Sequence, residues 1–194
     1  MKDRKILLPA LLVLFVTLVI AAVPTEAEAA IYEDTVRLHI LANSDSENDQ
    51  ELKLAVRDRI LEEFSKELSP LADIDEAESK IKKLLPEIEM TAKAQIEECG
   101  YDYSVTAELI DEWYQTRDYG EFSLPAGYYS SLVIRIGEAE GKNWWCVMFP
   151  PMCTEIATSD KGSSYTDAEK GLIAGGKYRL KFKTLELINE CFFK

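Results

Sequence analysis

From Thr35 to Ala42 apolar and polar positions alternate, with Val36, Leu38 and Ile40 on one side and Arg37, His39 and Leu41 on the other. That two-residue period predicts a half-buried strand. Asn43-Ser44-Asp45-Ser46 follows with several side-chain oxygens able to cap a helix, and Ser44 with Glu47, or Ser46 with Asp49, stands at capping-box spacing. The period then changes: Leu52, Val56, Ile60, Phe64 and Leu68 recur every fourth position, widened by Ala55 and Leu61, as one face of a helix. Ser69-Pro70 ends it. A second helical region, about Asp75 to Cys99, carries Ala77, Ile81, Leu84, Leu85, Ile88, Ala92 and Ile96 on one face, and Gly100 is placed as its C-terminal cap. Pro86 has no amide hydrogen to give and clashes with the preceding turn, so this region is expected to be kinked or split there.

Beyond Tyr103 the alternation of two returns through Val105, Ala107 and Leu109 and again from Tyr128 to Ile136, and Trp144 to Phe149 is a further candidate strand. Thr158 to Ser164 is polar and turn-rich, and Lys177 to Phe193 resumes helical spacing. The order strand, two helices, strands, helix predicts an α+β fold: a single domain, residues 30–194, with helices packed on one face of a largely antiparallel sheet. A chain of 194 residues with 47% hydrophobic content is enough for one such domain and a leader. The leader is an expected signal peptide, residues 1–29. Lys2, Arg4 and Lys5 precede an apolar run from Ile6 to Val23, and Ala27-Glu28-Ala29 offers small residues at peptidase spacing. The alternative is an uncleaved anchor, since the run approaches the lower limit of about 17 residues for a spanning helix. Either way the body is expected outside the cytoplasm.

The net charge of −13 excludes nucleic acid and anionic membrane surfaces as natural partners. The leader holds three basic residues and three acidic ones (Asp3, Glu26, Glu28), so its removal leaves that charge intact. Four cysteines, Cys99, Cys146, Cys153 and Cys191, permit three pairings in an exported protein. Cys146 with Cys153 is favoured because Pro150-Pro151 can turn the chain back between them; four buried reduced thiols are the alternative. No Cys-x-x-Cys occurs and His39 is the only histidine, so no metal site is expected. His39 with Cys146 makes a poor protease dyad, since no orienting third residue can be named. Gly171 to Lys177 approaches a phosphate-binding loop but is followed by Tyr178 where a magnesium-holding hydroxyl is needed, and reads better as a glycine hinge.

Gly141 to Cys153 gathers Trp144, Trp145, Phe149, Pro150 and Pro151 into an aromatic strand running into a rigid loop. Such residues form a core, a sugar-stacking platform or an anchor for a protein partner. On a strand Trp144 and Trp145 face opposite ways, so one can lie inside while the other reaches a partner. Asp111, Glu112, Glu138 and Glu140 are numerous enough to supply an acid/base pair for glycan cleavage, although sequence does not show their separation.

Taken in order, Arg37 to Ser46, Asp49-Gln50, Lys53, Val56-Arg57-Asp58, Leu85-Pro86-Glu87-Ile88-Glu89, Pro125-Ala126-Gly127 and Asn143 to Cys153 closely resemble the stage II sporulation protein R family, over roughly residues 33 to 193. Asn43-Ser44-Asp45 matches the family pattern residue by residue. The resemblance implies a secreted signalling protein with no enzymatic activity and no cofactor. Such a protein is made in the forespore and exported into the space between the forespore and mother-cell membranes. There it activates a membrane-embedded aspartic protease of the mother cell that processes pro-sigma-E. It also makes Asn43, Ser44, Asp45, Trp144, Trp145, Phe149, Pro150 and Pro151 candidate partner-binding residues, with helix capping as the alternative role of the first three. A secreted cell-wall glycan hydrolase or wall-binding module is the competing function.

Overall fold

The computed structural model describes residues 26–68, 70–118 and 123–150, with a few positions of the apolar run (9, 11–13 and 15–17). The expected loop at 158–164, the glycine hinge at 171–177, the helix at 177–193, and Pro151 and Cys153 lie outside the described residues. Among the described residues no helix is long and apolar enough to cross a membrane.

Helix α1 (Glu26–Glu33) spans the expected cleavage site, and strand β1 (Val36–Leu41) follows it. Helices α2 (Glu47–Leu68) and α3 (Ile74–Glu98) come next, then strands β2 (Val105–Tyr114), β3 (Arg117–Asp118), β4 (Ser123–Leu124), β5 (Gly127–Ile136) and β6 (Asn143–Phe149). The described residues fall into two compact units. One runs from Tyr32 to Glu112 and resumes at Tyr128; the other includes Trp113–Gly127 and holds the β3–β4 pair, in which Arg117 faces Leu124 and Asp118 faces Ser123.

The first unit is built on a four-stranded sheet of order β2-β5-β1-β6. The expectation of a largely antiparallel sheet needs one correction: β1 runs parallel to β5, with Leu38 beside Leu132, and antiparallel to β6, with Leu38 beside Cys146. Two helices and three strands, β2 to β4, separate β1 from β5 in sequence, which gives the chain the long crossover that a parallel pair requires. Strand β1 is therefore interior, and its second face is buried as well. Arg37 is fully buried and His39 nearly so, where a half-buried strand had been expected.

Helices α2 and α3 cover one face of the sheet. The stripe Leu52, Val56, Ile60, Phe64, Leu68 and the stripe Ala77, Ile81, Leu84, Ile88, Ala92, Ile96 meet Val36, Leu38 and Ile40 of β1 and Leu132, Ile134 and Ile136 of β5 in a single core. Helix α3 runs through Pro86 without the split that was one of the two expectations. An interior proline costs about 3 kcal/mol, whereas each large apolar side chain that the helix buries contributes about 1.5–3 kcal/mol. With Ile81, Leu84, Ile88 and Ile96 buried on either side, packing outweighs the lost hydrogen bond. Pro86 itself sits on the exposed side.

The helix ends as its sequence predicts. Gly100 takes φ +85°, its amide donates to the Glu97 carbonyl at 2.9 Å, and the Tyr101 amide donates to the Ile96 carbonyl at 3.1 Å. These two bonds satisfy carbonyls that a helix end otherwise leaves unpaired. At the start of α3 the Asp73 carboxylate accepts from the Glu76 amide at 2.9 Å.

Candidate functional site

The turn from β1 into α2 carries Asn43-Ser44-Asp45, and its first duty is local. Ser46 Oγ accepts from the Asp49 amide at 3.2 Å, so Ser46 is the capping residue of α2. Asp49, at the reciprocal position of the box, turns its carboxylate into the turn instead, where Oδ2 accepts from Asn43 Nδ2 at 2.9 Å and from the Ser44 hydroxyl. Asp49 is 5% exposed. Burial alone raises its pKa, yet hydrogen bonds from Ser44, Asn43, Tyr103 and Ser46 together hold the carboxyl below its usual range. In return, burial and then the nearby Asp49 carboxylate raise the Tyr103 hydroxyl.

The same turn grips the loop, residues 137–142, that carries the chain from β5 across β1 to β6. Asn43 Oδ1 accepts from the Glu138 amide at 3.0 Å, and Asp45 Oδ1 accepts from the Lys142 amide at 2.6 Å. The Asn43 carbonyl accepts from the Glu140 amide at 3.3 Å, and the Ala42 carbonyl from the Gly141 amide at 2.9 Å. From α2, the Lys53 ammonium donates to Gln50 Oε1 at 2.6 Å and to the Lys142 carbonyl at 2.7 Å, and Gln50 Nε2 donates to the Ser44 carbonyl at 2.9 Å. Lys53 is buried; this, with the charges of Arg57 and Lys142, holds its pKa below the usual range, and Asp45 opposes the shift.

The approach of turn and loop leaves no room for side chains at two positions. A Cβ on Gly137, whose φ is +58°, would lie 2.2 Å from Asn43 Oδ1, and one on Gly141 would lie 2.2 Å from the Ser44 carbonyl oxygen. Asn43 and Ser44 are thus half-buried structural pins, and Asp45 is the exposed member of the trio. The capping reading and the motif meet here: the residues bind the protein to itself and present Asp45 at the rim.

The loop leads directly into β6. Trp144 stands beside Ile40 on the helix-covered face, with the Arg57 guanidinium 4.9 Å from its ring centre. Trp145 stands beside His39 on the other face and stacks on it at 5.4 Å. Both tryptophans are half-buried and on opposite faces, so they do not form the joint platform that a wall-binding module would need. Phe149 and Pro150 are buried.

Cys146 pairs with Leu38 in the sheet and points into the core, whereas His39 projects from the opposite face, which excludes the dyad by geometry. His39 Nδ1 lies 2.8 Å from Glu112 Oε2. Cys146 is disulfide-bonded, with its partner outside the described residues, and Cys99 is a free, exposed thiol. Of the carboxylates considered for glycan cleavage, Glu138 and Glu140 are exposed on the loop between β5 and β6 and Asp111 is exposed on β2. Among the described residues no group of acidic, histidine or cysteine side chains is arranged to hold a metal.

Asp49, Lys53, Gly137 and Gly141 belong to this constellation and were not singled out as site residues from sequence. A signal existed: Asp49, Lys53 and Arg57 recur at four-residue spacing on α2 and share one face, which the structure turns toward the β5–β6 loop and Trp144.

Fold and site define an α+β protein whose first strand-to-helix turn is pinned by polar bonds to the distant loop between β5 and β6. The family model described as Stage II sporulation protein R matches residues 32–159, which take in both halves of this brace, and the chain belongs to that family. Similar to it is the Stage II sporulation protein R of Bacillus subtilis (strain 168), 40% identical over 123 residues, covering 63% of this chain and 55% of the relative. The aligned part of the chain thus spans about half the length of that relative. No solved structure matches.

Proposed function

We propose that this chain is an exported sporulation signal that activates the membrane-embedded aspartic protease of the mother cell, and so triggers processing of pro-sigma-E. On this reading it is released by the forespore after cleavage of residues 1–29 and acts in the space between the two membranes by binding. It performs no chemistry of its own. The observation that carries the proposal is membership of the stage II sporulation protein R family across the turn, the β5–β6 loop and the aromatic strand. The basic and apolar leader supports export. Opposite placement of His39 and Cys146, and of Trp144 and Trp145, removes the specific arrangements on which a thiol-protease or wall-platform reading relied.

Co-expression of the chain with the protease and its pro-sigma-E substrate in a host that does not sporulate tests the proposal. Shortened sigma factor should appear only when all three are present. Substrate that stays full-length despite folded, exported chain and folded protease would refute it, and retention on purified peptidoglycan would favour the wall-binding reading instead.

A further inference from the structure

Helix α3 carries a second apolar stripe on its exposed side, apart from the one that packs on the sheet. Pro86, Met90 and Ala94 recur at four-residue spacing, and Met90 is 67% exposed. With Leu85 and Val105 they line an open groove of about 780 Å³ between α3 and the start of β2, large enough to seat side chains of another chain. Methionine is suited to such a floor because its flexible, polarizable side chain adapts to what it meets.

The border of the groove is polar and net negative. Glu89 accepts from the Ala107 amide at 3.3 Å, which also shields part of the outer edge of β2. Lys93 is a lining cation, but its ammonium is already committed to Asp102 at 2.7 Å, Glu97 at 3.3 Å and the Tyr103 carbonyl at 3.2 Å. Glu89, Glu97 and Asp102 therefore outweigh it. A second copy of a chain with net charge −13 is opposed at such a surface, whereas an apolar segment flanked by basic residues is matched to it in both floor and border.

We infer that this groove is the docking site for an apolar, basic-flanked segment of the partner protein. The inference rests on reading the chain as a ligand of another protein, and it places the anchoring contact on α3 and β2 rather than on the Asn43-to-Asp45 turn, whose polar groups are largely spent on α2 and the β5–β6 loop.

The direct test titrates isotope-labelled chain lacking residues 1–29 with a short synthetic peptide of leucines and alanines flanked by lysines, and with the same apolar sequence flanked by glutamates. Saturable shifts at the Met90 methyl and the Ala94 and Val105 amides are expected with the lysine-flanked peptide alone. Met90→Ser and Ala94→Arg, both at exposed positions, should each weaken its binding about tenfold or more, while the exposed control Leu54→Ser should not. No binding, shifts spread over the acidic surface, or binding indifferent to Met90→Ser and Ala94→Arg would overturn the inference. In the co-expression assay the same two variants, shown to be folded by unchanged melting, should lose most sigma processing; full activity would also overturn it. Failure of the unaltered chain in that assay would instead count against the proposed function, with the titration still deciding whether the groove binds.

Discussion

Asn43 and Gly137 are fitted to each other: the Asn43 side-chain oxygen accepts from the amide following Gly137 and occupies the space where a Cβ on that glycine would fall, 2.2 Å away. Since Gly137 also holds φ +58°, two independent costs attach to any side chain there. Gly137→Ala is expected to destabilise the protein by about 2–4 kcal/mol, combining backbone strain with displacement of the half-buried Asn43 side chain and loss of its hydrogen bonds. Gly100→Ala shares a positive φ but meets nothing within 4 Å, so it should cost only about 1 kcal/mol. Urea denaturation of the two variants side by side checks the difference, and equal losses would show that the Asn43 contact contributes little.

The Asp49 carboxyl should leave a signature in acid. A carboxyl held below its unfolded pKa adds stability that is fully present above the unfolded value and lost as pH falls through the folded one. Between about pH 5 and about pH 2, then, the native protein should lose more stability than Asp49→Asn, whose amide cannot titrate. At neutral pH Asp49→Asn should be the less stable, because an amide cannot accept from Asn43, Ser44 and Tyr103 as a carboxylate does. Denaturation midpoints across that range decide it; parallel pH profiles for the two proteins would contradict the account.

Pro86→Ala should raise stability by about 1–3 kcal/mol, because position 86 is exposed and alanine restores an amide to a helix that already runs through it. The check is the melting temperature. An unchanged or lower value would mean that the proline ring makes packing contacts worth as much as the hydrogen bond it forfeits.

In protein purified without reductant, Cys99 should react with an alkylating reagent while Cys146 should not until a reductant is added. Peptide mapping should then find Cys146 joined to Cys153, the pairing proposed from the Pro150-Pro151 turn. Recovery of Cys146 alkylated under native conditions would remove the bridge.

Much of this architecture was legible in the sequence, because periodicity depends on which side of an element is buried and nothing else. The stripes of α2 and α3, the alternation of β1 and β5, the cap at Gly100 and the opposed faces of Trp144 and Trp145 all follow from spacing. Strand order does not: the pattern of β1 is the same beside a parallel or an antiparallel neighbour, so its pairing with β5 was not visible. Nor was burial of Arg37 and His39, since polar residues on a strand face ordinarily signal solvent. Of the site, the Ser46 cap could be read locally, whereas the Asn43–Asp49 bond turns a capping partner to another use, and the need for glycine at 137 arises only once a residue ninety-four positions earlier is brought against it. Local rules fix the elements, and long-range contact chooses among the roles those rules allow.

The central claim, that the protein acts by binding from outside the mother-cell membrane, is tested most directly by removing residues 1–29 in the co-expression assay, with leaderless and complete chains matched for amount. The account predicts that the leaderless chain, folded and retained in the cytoplasm, leaves pro-sigma-E unprocessed, while the complete chain yields the shortened factor. Processing by the leaderless chain at matched expression would contradict it.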